Sequence, residues 1–286
     1  MMRIKKHLAI CCIVTALILG YGLTIERYAL RINTYPLHFE NLPAAFNGYR
    51  ILVITDLHYG RLMSKPWVSE IIERANRAGA DCIVCLGDYV KKRNTKDELR
   101  VIWPMLKTLK APGGVFFING NHEHWADHAL SLRLLEESGS SLRHRHAVIR
   151  KGGAAVALAG CGDARGGDEP GLDEALDRVP DGMFTILLAH NPDAADLPRK
   201  KPVDLFLCGH THGGQIVVPV IDYPVMIPVD NKLYDSGLKH NARREAVFIS
   251  RGIGWGVAPV RLNCTPEIAI IQLVSKKGSR LARAAR

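Results

Sequence analysis

The stretch ILVITDLH, residues 51–58, decides the fold of this chain, because in it an apolar run ends abruptly at an acidic residue. The apolar and β-branched residues over 51–55 predict a buried β-strand. Asp56 and His58 follow, and alternate residues of an extended chain point to the same side. The stretch therefore predicts a strand whose carboxyl end presents two side chains that can bind a metal ion.

The same pattern, an apolar run that ends at a polar residue, recurs four times further along the chain. The residues that end these runs are Asp88, Asn121, His190 and His210, and His212 follows the last of them by two positions. Ligands of α/β sheets gather beyond the carboxyl ends of the strands, so we expect these side chains to converge. Two aspartates, one asparagine and four histidines are too many for one ion and indicate two ions that share an aspartate.

Helices are predicted between the strands, and more strands are predicted towards the carboxyl end. Amphipathic stretches predict helices over residues 67–78, 97–109 and 126–137, and further apolar runs predict strands over 154–159, 247–250 and 268–273. This alternation of strands and helices predicts an α/β fold. The strand-rich later part indicates a mixed sheet or a second sheet.

Five motifs resemble, in the same order, the motif blocks of the calcineurin-like metallophosphoesterases. They are DLH at 56–58, GD at 87–88, GNHE at 120–123, HNP at 190–192 and GHTHGGQ at 209–215. The last motif, with SRGIG at 250–254 and NCTPEI at 263–268, resembles the membrane-anchored or secreted bacterial branch of that family. The resemblance implies an α/β fold, a four-layer αββα sandwich of two mixed β-sheets flanked by helices.

The resemblance also implies a role for each site residue. It places one metal ion on Asp56, His58, Asp88 and His212, and the other on Asp88, Asn121, His190 and His210. His122 would be the catalytic residue near the scissile phosphate, where it stabilises the transition state or protonates the leaving group. A hydroxide bridging the two ions would attack phosphorus. We expect two divalent ions per chain, Mn²⁺ first, with Zn²⁺ or Fe as alternatives.

Other polar residues lie close to these motifs. Arg61 and Arg251 are candidate substrate-binding residues that would contact the phosphate, although a surface salt bridge explains either equally well. Asp163 could line the site, but a role in a turn is the favoured interpretation. Four further histidines are interpreted as surface residues, namely His124, His128, His144 and His146.

The apolar segment Leu8–Ile25 follows a basic amino terminus at residues 1–7. Its 18 residues fall within the roughly 17–25 that span a bilayer. We expect an uncleaved signal anchor, with a cleaved, secreted form as the alternative. The basic amino end predicts a single pass through a bacterial inner membrane with the catalytic domain on the outer face, and a domain facing the cytoplasm is the other possibility.

The remaining chain divides into a connector at 26–46, a metallophosphoesterase domain at 47–274 and a basic tail at 275–286. The net charge of +10 is spread along the chain, so most basic runs are interpreted as solvated faces. The tail is interpreted as a frayed terminus, with attraction to anionic lipid as the alternative. No nucleic-acid partner is expected, because no strip of aromatic and basic residues accompanies the charge.

Five cysteines lie among apolar residues or beside glycine, and they are expected to be small buried side chains rather than a disulfide framework. They are Cys82, Cys85, Cys161, Cys208 and Cys264.

These features predict a dinuclear metal-dependent phosphohydrolase of the phosphodiesterase type that acts at a membrane. Its substrate would be a phosphate-containing small molecule or a lipid-linked phosphate. A UDP-2,3-diacylglucosamine hydrolase, which some membrane-associated members of the family resemble, is an alternative, and a cytoplasmic domain would favour it. A non-catalytic metal-binding scaffold is the alternative of another class, but retention of every metal ligand and of His122 argues against it.

Overall fold

Two β-sheets packed face to face form the centre of the structure, a computed structural model that describes residues 2–276. The helices are α1 Met2–Thr24, α2 Lys65–Arg77, α3 Asp97–Leu106, α4 Asn121–Glu136 and α5 Leu172–Leu176. The strands are β1 Arg31–Phe39, β2 Arg50–Ile54, β3 Cys82–Cys85, β4 Val115–Phe117, β5 Arg145–Lys151, β6 Ala154–Gly160, β7 Thr185–Leu188, β8 Leu205–Cys208, β9 Val217–Val218, β10 Tyr223–Pro224, β11 Gly237–His240, β12 Ala246–Ile249 and β13 Glu267–Ser275.

Both sheets are mixed, and each contains a run of parallel strands. The first sheet has the order β1-β13-β2-β3-β4, in which β2, β3 and β4 run parallel and β13 runs antiparallel to β2. The second sheet has the order β11-β12-β8-β7-β6-β5, in which only the two edge strands run antiparallel to their neighbours. Parallel strands end at a common edge, so residues that follow β2, β3, β7 and β8 can meet there.

Alternate residues of each central strand pack into different layers, as the two-residue period of a strand requires. In β2, Ile51 and Val53 point into the core between the sheets, where they join Leu188 and Phe248 of the second sheet. Leu52 and Ile54 point the other way, into the core beneath the helices. A strand buried on both faces explains why residues 51–54 are apolar without interruption.

Helix α2 shows why the outer layer forms as the sequence predicts. Its buried residues Val68, Ile71, Ile72 and Ala75 recur at the spacing of one helical face. Ser64 caps the helix by accepting a hydrogen bond from the Trp67 amide, which satisfies one of the free amides at the helix start. Helices α2, α3 and α4 cover the first sheet with apolar faces of this kind.

The outer layer of the second sheet is much thinner. It includes α5, which has five residues, together with short 3-10 turns and loops such as Pro192–Asp196. Two sheets between these outer layers confirm the predicted four-layer sandwich. The five cysteines expected to be buried, Cys82, Cys85, Cys161, Cys208 and Cys264, are buried free thiols.

The predicted connector is corrected by the structure, because residues 31–39 within it form β1. This edge strand pairs along its whole length with β13 in parallel register. Most of its side chains are exposed or half-buried, so it lacks the apolar run that marks the central strands. Pro36 lies within it, which an edge strand tolerates because one side of its backbone has no strand partner.

Three further differences concern the ends of elements. Helix α4 begins at Asn121 rather than at residue 126, and a break in helical geometry at Asp127 explains why the amphipathic pattern starts late. Strands β5 and β11 were not predicted, and both are antiparallel edge strands with few buried side chains. Most of the predicted basic tail, residues 277–286, lies outside the described residues.

The amino-terminal segment forms helix α1 and is long and apolar enough to cross a membrane. A span over Lys5–Tyr28 has a mean hydropathy of 2.4, and only 6% of its apolar window is buried. Only the end of the helix contacts the sandwich closely: the Gly22 carbonyl accepts a hydrogen bond from the Arg261 amide at 3.2 Å. A helix this apolar and this exposed fits a bilayer or a signal segment.

Candidate metal centre

The carboxyl ends of the parallel strands bring the residues of the first predicted group together. Asp56 and His58 follow β2, whereas His212 follows β8 in the other sheet, and all three are buried. The Asp56 Oδ1 atom lies 3.3 Å from His212 Nε2 and 3.9 Å from His58 Nε2. The two imidazole nitrogens lie 3.0 Å apart. One ion can therefore be reached by an oxygen and two nitrogens from different sheets.

A second group forms beside the first at the same edge. Asp88 follows β3, and its Oδ2 atom lies 3.2 Å from His190 Nε2. His210 Nδ1 lies 3.2 Å from the same His190 nitrogen. Asn121, the first residue of α4, is buried and lines the same cavity. The predicted second set of ligand side chains is thus gathered around Asp88.

Asp88 faces both groups. Its Oδ2 atom lies 3.6 Å from His58 Nε2 of the first group and 3.2 Å from His190 Nε2 of the second. Its Oδ1 atom is occupied, because it accepts a hydrogen bond from the His122 amide at 2.9 Å. The other oxygen of this carboxylate, Oδ2, therefore faces both sets of donors.

Backbone carbonyls orient the two histidines of the second group. His190 Nδ1 lies 2.8 Å from the Leu86 carbonyl, and His210 Nε2 lies 3.2 Å from the Pro228 carbonyl. A carbonyl oxygen can only accept, so in each ring that nitrogen carries a proton. The other nitrogen faces Asp88, and such oriented histidines are typical of metal sites.

Two oxygen atoms in the site lack a hydrogen-bond partner among residues 2–276. They are Asp56 Oδ1 and Asn121 Oδ1, both on buried residues. A buried oxygen without a partner costs roughly 1–3 kcal/mol, and more when it carries charge. A cation beside each atom would satisfy it. These unpartnered oxygens therefore support divalent metal ions independently of which residue types make up the site.

Burial keeps three of the histidines in the neutral form that binds metals. It lowers the pKa values of His58 and His212 well below their ordinary value, and that of His210 to about 3. His190 behaves differently: although burial opposes it, the neighbouring Asp88 raises the pKa of His190 well above its ordinary value. Burial would raise the pKa of Asp88, but His190 and His122 hold it well below its usual range, so this carboxylate is ionised.

The backbone of the site is strained. Five of the predicted ligands have positive φ angles, a backbone conformation that residues other than glycine rarely adopt. They are Asp56 at 56°, His58 at 49°, Asp88 at 53°, His210 at 69° and His212 at 53°. Such strain of about 1–3 kcal/mol per residue persists only where the surroundings impose it, and it clusters at functional sites.

Two glycines allow the strands to approach each other here. A Cβ at Gly87 would lie 2.1 Å from the Gly120 amide nitrogen, and one at Gly209 would lie 2.2 Å from Thr55 Oγ1. The same Cβ at Gly209 would lie only 2.6 Å from Asp56 Oδ2. The glycines of the motifs are therefore required by close packing of the ligand loops.

Glu123 is a positioning residue whose role the sequence did not reveal. Its buried carboxylate accepts hydrogen bonds from the amides of Asp88, Tyr89, Val90 and Gly120, at 2.8, 2.7, 3.2 and 2.9 Å. It thereby holds the loop after β3 and the turn before α4 in place. The GNHE motif contains this residue, but the four amides it binds come from folded loops that the sequence does not align.

His122 lies at the border between the buried centre and solvent. Its Nδ1 atom lies 3.0 Å from the Lys91 carbonyl, and its ring packs edge-on against His58 with centroids 4.5 Å apart. It shares a group of possible ligand atoms with His58 and Asp88. His122 therefore stands beside the carboxylate that both groups share, on the side of the cavity.

A cavity of about 830 Å³ opens over this centre. Asp88, Asn121, His122 and His210 line it together with an apolar wall, four basic side chains and the polar residues Thr211, His212, Gln215 and Asp235. The basic residues are Lys91, Arg93, Arg165 and Lys232. Residues 91–93 are one of the basic runs that the sequence predicts to be solvated faces. The prediction missed the cavity because loop residues have no periodicity that shows which way their side chains point.

The two predicted phosphate contacts are not brought to this cavity. Arg61 is exposed, and neither it nor Arg251 belongs to the cavity lining. The Arg251 side chain packs against Gly213, where a Cβ would lie 3.0 Å from Arg251 Cγ. Closeness in sequence to a motif therefore did not predict closeness to the cavity.

Asp163 takes the turn role: it accepts a hydrogen bond from the Gly166 amide and caps a 3-10 turn. His124 is buried beside Asp168, with 3.7 Å between His124 Nε2 and Asp168 Oδ2, so its interpretation as a surface residue is wrong. His128 is exposed, and both His144 and His146 are half-buried rather than exposed. Helix α4 buries His124 because this residue faces the loop at 162–168.

Comparison with known proteins identifies relatives over most of the chain. The family model described as calcineurin-like phosphoesterase matches residues 49–214. An uncharacterized metallophosphoesterase of Bacillus subtilis, YkuE, is 29% identical over 259 residues, covering 90% of each chain. The phosphodiesterase YaeI of Escherichia coli is 32% identical over 232 residues, covering 79% of this chain and 82% of that protein.

One animal relative is named a transmembrane protein. The transmembrane protein with metallophosphoesterase domain of Danio rerio is 28% identical over 281 residues, covering 94% of this chain and 63% of that protein. The similarity to these relatives extends beyond the matched family model at both ends, since it covers more of the chain.

Proposed function

Because the chain belongs to the calcineurin-like phosphoesterase family, we propose that it is a dinuclear metal-dependent phosphodiesterase that acts at a membrane. The observation that carries the proposal is the position of Asp88, whose Oδ2 atom lies 3.6 Å from a donor of one group and 3.2 Å from a donor of the other. A carboxylate that faces both groups suits two ions about 3.5–4 Å apart.

In this proposal, two sets of residues that share Asp88 would each hold one ion. Asp56, His58, Asp88 and His212 would hold one ion, and Asp88, Asn121, His190 and His210 would hold the other. The partnerless Asp56 and Asn121 oxygens and the carbonyl-oriented rings of His190 and His210 support these sets. Mn²⁺, Zn²⁺ and Fe all suit a mixture of oxygen and imidazole ligands, and we propose Mn²⁺ first.

Bound divalent ions would supply an activated water near neutral pH and neutralise charge on the phosphoryl oxygens. The chain's own residues supply the rest of the chemistry. His122 donates from Nδ1 to the Lys91 carbonyl, so its Nε2 is an acceptor in the neutral ring; Nε2 can take up a proton, and the imidazolium formed can pass that proton to the leaving oxygen. Lys91 and Arg165 at the cavity rim attract the anionic substrate.

Three observations support action on a diester at a membrane. The relative in Escherichia coli is named a phosphodiesterase, and the one in Danio rerio is named a transmembrane protein. Helix α1 is long and apolar enough for a single crossing. We place the catalytic domain on the outer face of a bacterial inner membrane, because basic residues precede the helix.

The test is hydrolysis of bis-p-nitrophenyl phosphate by the full chain in detergent, with Mn²⁺, Zn²⁺ or Fe²⁺ added after chelation. We expect metal-dependent hydrolysis that Asp88→Asn lowers by at least about a hundredfold, since changes one shell further out already cost about 10–100-fold. Asp181→Asn is the matched control, because that side chain is 94% exposed. Absence of hydrolysis with every ion would favour a non-catalytic metal-binding scaffold.

A further inference from the structure

Exposed apolar side chains are concentrated at one side of the cavity mouth. Residues 216–225, which contain β9 and β10 and are here called the apolar hairpin, carry Val220 at 100%, Ile221 at 69% and Tyr223 at 61% exposure. Val257, on a neighbouring loop, is 79% exposed. Clusters of exposed apolar side chains on a folded domain mark surfaces that contact a partner or a membrane.

The apolar hairpin is also part of the cavity. Tyr223, Pro224 and Val225 line the same space as Asp88 and His122, and Val257 lines it from the neighbouring loop. Val220 and Ile221 at the hairpin tip lie outside that lining. The hairpin therefore has a base that faces the candidate metal centre and a tip that faces away from the protein.

The end of helix α1 is attached to the loop that carries Val257. The Arg261 amide donates to the Gly22 carbonyl, and the Arg27 guanidinium donates to the Pro259 carbonyl at 3.0 Å. A Cβ at Gly22 would lie 2.7 Å from the Arg261 carbonyl oxygen, so the helix touches this loop with backbone against backbone. The membrane-length helix α1 therefore extends away from the domain next to the loop at residues 257–263.

The apolar hairpin is attached to the same loop from its other side. The Val217 amide donates to the Leu262 carbonyl at 2.9 Å, and the Asn263 side-chain amide donates to the Val217 carbonyl at 3.1 Å. A β-bridge joins Ile216 to Leu262. Residues 257–263, which include Val257, therefore contact both the end of α1 and the hairpin.

Buried hydrogen bonds hold this loop rigidly to the candidate metal centre. The Arg261 guanidinium is fully buried and donates to the carbonyls of Arg251, Gly252 and Gly254. The Gln215 side-chain amide donates to the Ala258 and Val260 carbonyls at 2.7 and 2.9 Å. A bilayer that holds α1 would therefore lie at a defined position relative to the cavity.

We propose that the tip of the apolar hairpin, together with Val257, inserts into the bilayer leaflet beside α1, and that the cavity takes an amphiphilic phosphate ester directly from that leaflet. This inference deepens the proposed function and rests on it. Apolar chains of the substrate lie along the hairpin wall, and its phosphate reaches the centre between the basic residues Lys91 and Arg165. Apolar side chains on the insertion face with basic ones nearby are typical of interfacial membrane contacts.

The first test measures insertion without catalysis. The full chain is reconstituted into phosphatidylcholine vesicles whose acyl chains carry bromine, which quenches tryptophan fluorescence at short range. Val220→Trp is compared with Leu238→Trp, an exposed position on the edge strand β11, and unmodified protein supplies the background. We expect added quenching for residue 220 and none for residue 238. Equal quenching at the two positions would overturn membrane insertion of the hairpin.

The second test measures where the substrate comes from. The double variant Val220→Asp, Ile221→Asp is compared with wild type on bis-p-nitrophenyl phosphate in solution and on a fluorescent phosphatidylglycerol in phosphatidylcholine vesicles. We expect hydrolysis in solution to stay within about twofold and hydrolysis in vesicles to fall by at least about tenfold. Leu238→Asp is the matched control and should change neither rate.

The outcomes separate the two proposals. Wild-type protein that hydrolyses neither compound with any divalent ion would contradict the proposed function, while the quenching result would still decide insertion. If wild-type protein hydrolyses the soluble diester but not the vesicle lipid, the proposal that its substrate is amphiphilic is wrong. Equal vesicle rates for wild type and the double variant would overturn the role of the hairpin.

Discussion

The candidate metal centre and the apolar hairpin beside it are built in opposite ways. The predicted metal ligands are buried, and five of them lie in left-handed backbone that close packing imposes. The hairpin tip is exposed, and a few hydrogen bonds at its base attach it to the loop at 257–263. One region has almost no freedom to change, whereas the other can change without disturbing the core.

This difference indicates how the molecule divides its tasks. Metal binding demands several side chains placed to within a fraction of an ångström, so it is located where two sheets fix the loops from both sides. Selection of a substrate needs only a surface of suitable shape and polarity. The buried centre is therefore the part on which the chemistry depends, and the hairpin wall is the part that can vary without disturbing it.

The largest effect should follow a change that disturbs only the packing of the centre. In Gly209→Ala the added methyl group would crowd Thr55 and displace the Asp56 carboxylate. We expect metal-dependent hydrolysis to fall by about a hundredfold, because a displacement of about 1 Å costs that much. The free energy of unfolding should fall by about 1–3 kcal/mol, measured by urea denaturation.

Gly182→Ala is the control for that change. Gly182 has a φ of 76°, and among the described residues no heavy atom beyond its chain neighbours lies within 4 Å of an added Cβ. This variant should lose stability through backbone strain and keep activity within about twofold. Equal losses of activity in both glycine variants would contradict the idea that close packing positions Asp56.

A smaller effect should follow a change in the acceptor that organises the ligand loops. Glu123→Gln replaces a carboxylate that accepts from four amides with a group that also carries donors. We expect the affinity for Mn²⁺, measured by calorimetry, to fall by about 10–100-fold. The free energy of unfolding should fall by about 1–3 kcal/mol, because buried donors lose their partners.

Glu73→Gln provides the matched control, since Glu73 forms an exposed pair with Arg77 one helical turn away. Such pairs contribute about 0.3–0.5 kcal/mol. This variant should leave metal affinity unchanged. A Glu123→Gln protein that binds Mn²⁺ like wild type would show that the loops hold their shape without the carboxylate.

The smallest effects should distinguish the basic rim from an arginine near a motif. Arg165 lines the cavity, and Arg61 is exposed outside it. We expect Arg165→Ala to raise KM for the soluble diester by a few fold at low salt, because an exposed charge contributes about 0.2–1 kcal/mol. The effect should fade at high salt, where such charges are screened.

Arg61→Ala should leave KM and kcat within about twofold at every salt concentration, as expected for an exposed charge that makes no cavity contact. Steady-state kinetics of the two variants measured side by side would decide between the sequence-based assignment and the structural one. A larger effect of Arg61→Ala than of Arg165→Ala would restore Arg61 as a phosphate contact.

The parts that could be predicted from the sequence are those with a local pattern. Asp56 and Asp88 end apolar runs, and strands buried on both faces such as 51–54 are unmistakable, so their convergence follows from the rule that parallel strands end together. The edge strand β1 escaped prediction because most of its side chains are not buried. An edge strand is stabilised by backbone pairing, which side-chain patterns do not encode.

The cavity rim and the role of Glu123 could not be predicted for a different reason. Lys91, Arg165 and Lys232 come from three loops, and no periodicity relates them. The four amides that Glu123 accepts come from two loops that are adjacent only in the folded chain. Properties created by tertiary packing of irregular segments require the structure.

The most direct test of the central claim is an anomalous difference map from a crystal of the full chain grown with Mn²⁺. We expect two peaks on either side of Asp88, one beside Asp56, His58 and His212 and the other beside Asn121, His190 and His210. A single peak at the site, or two peaks that do not share Asp88, would contradict a dinuclear centre built on this residue.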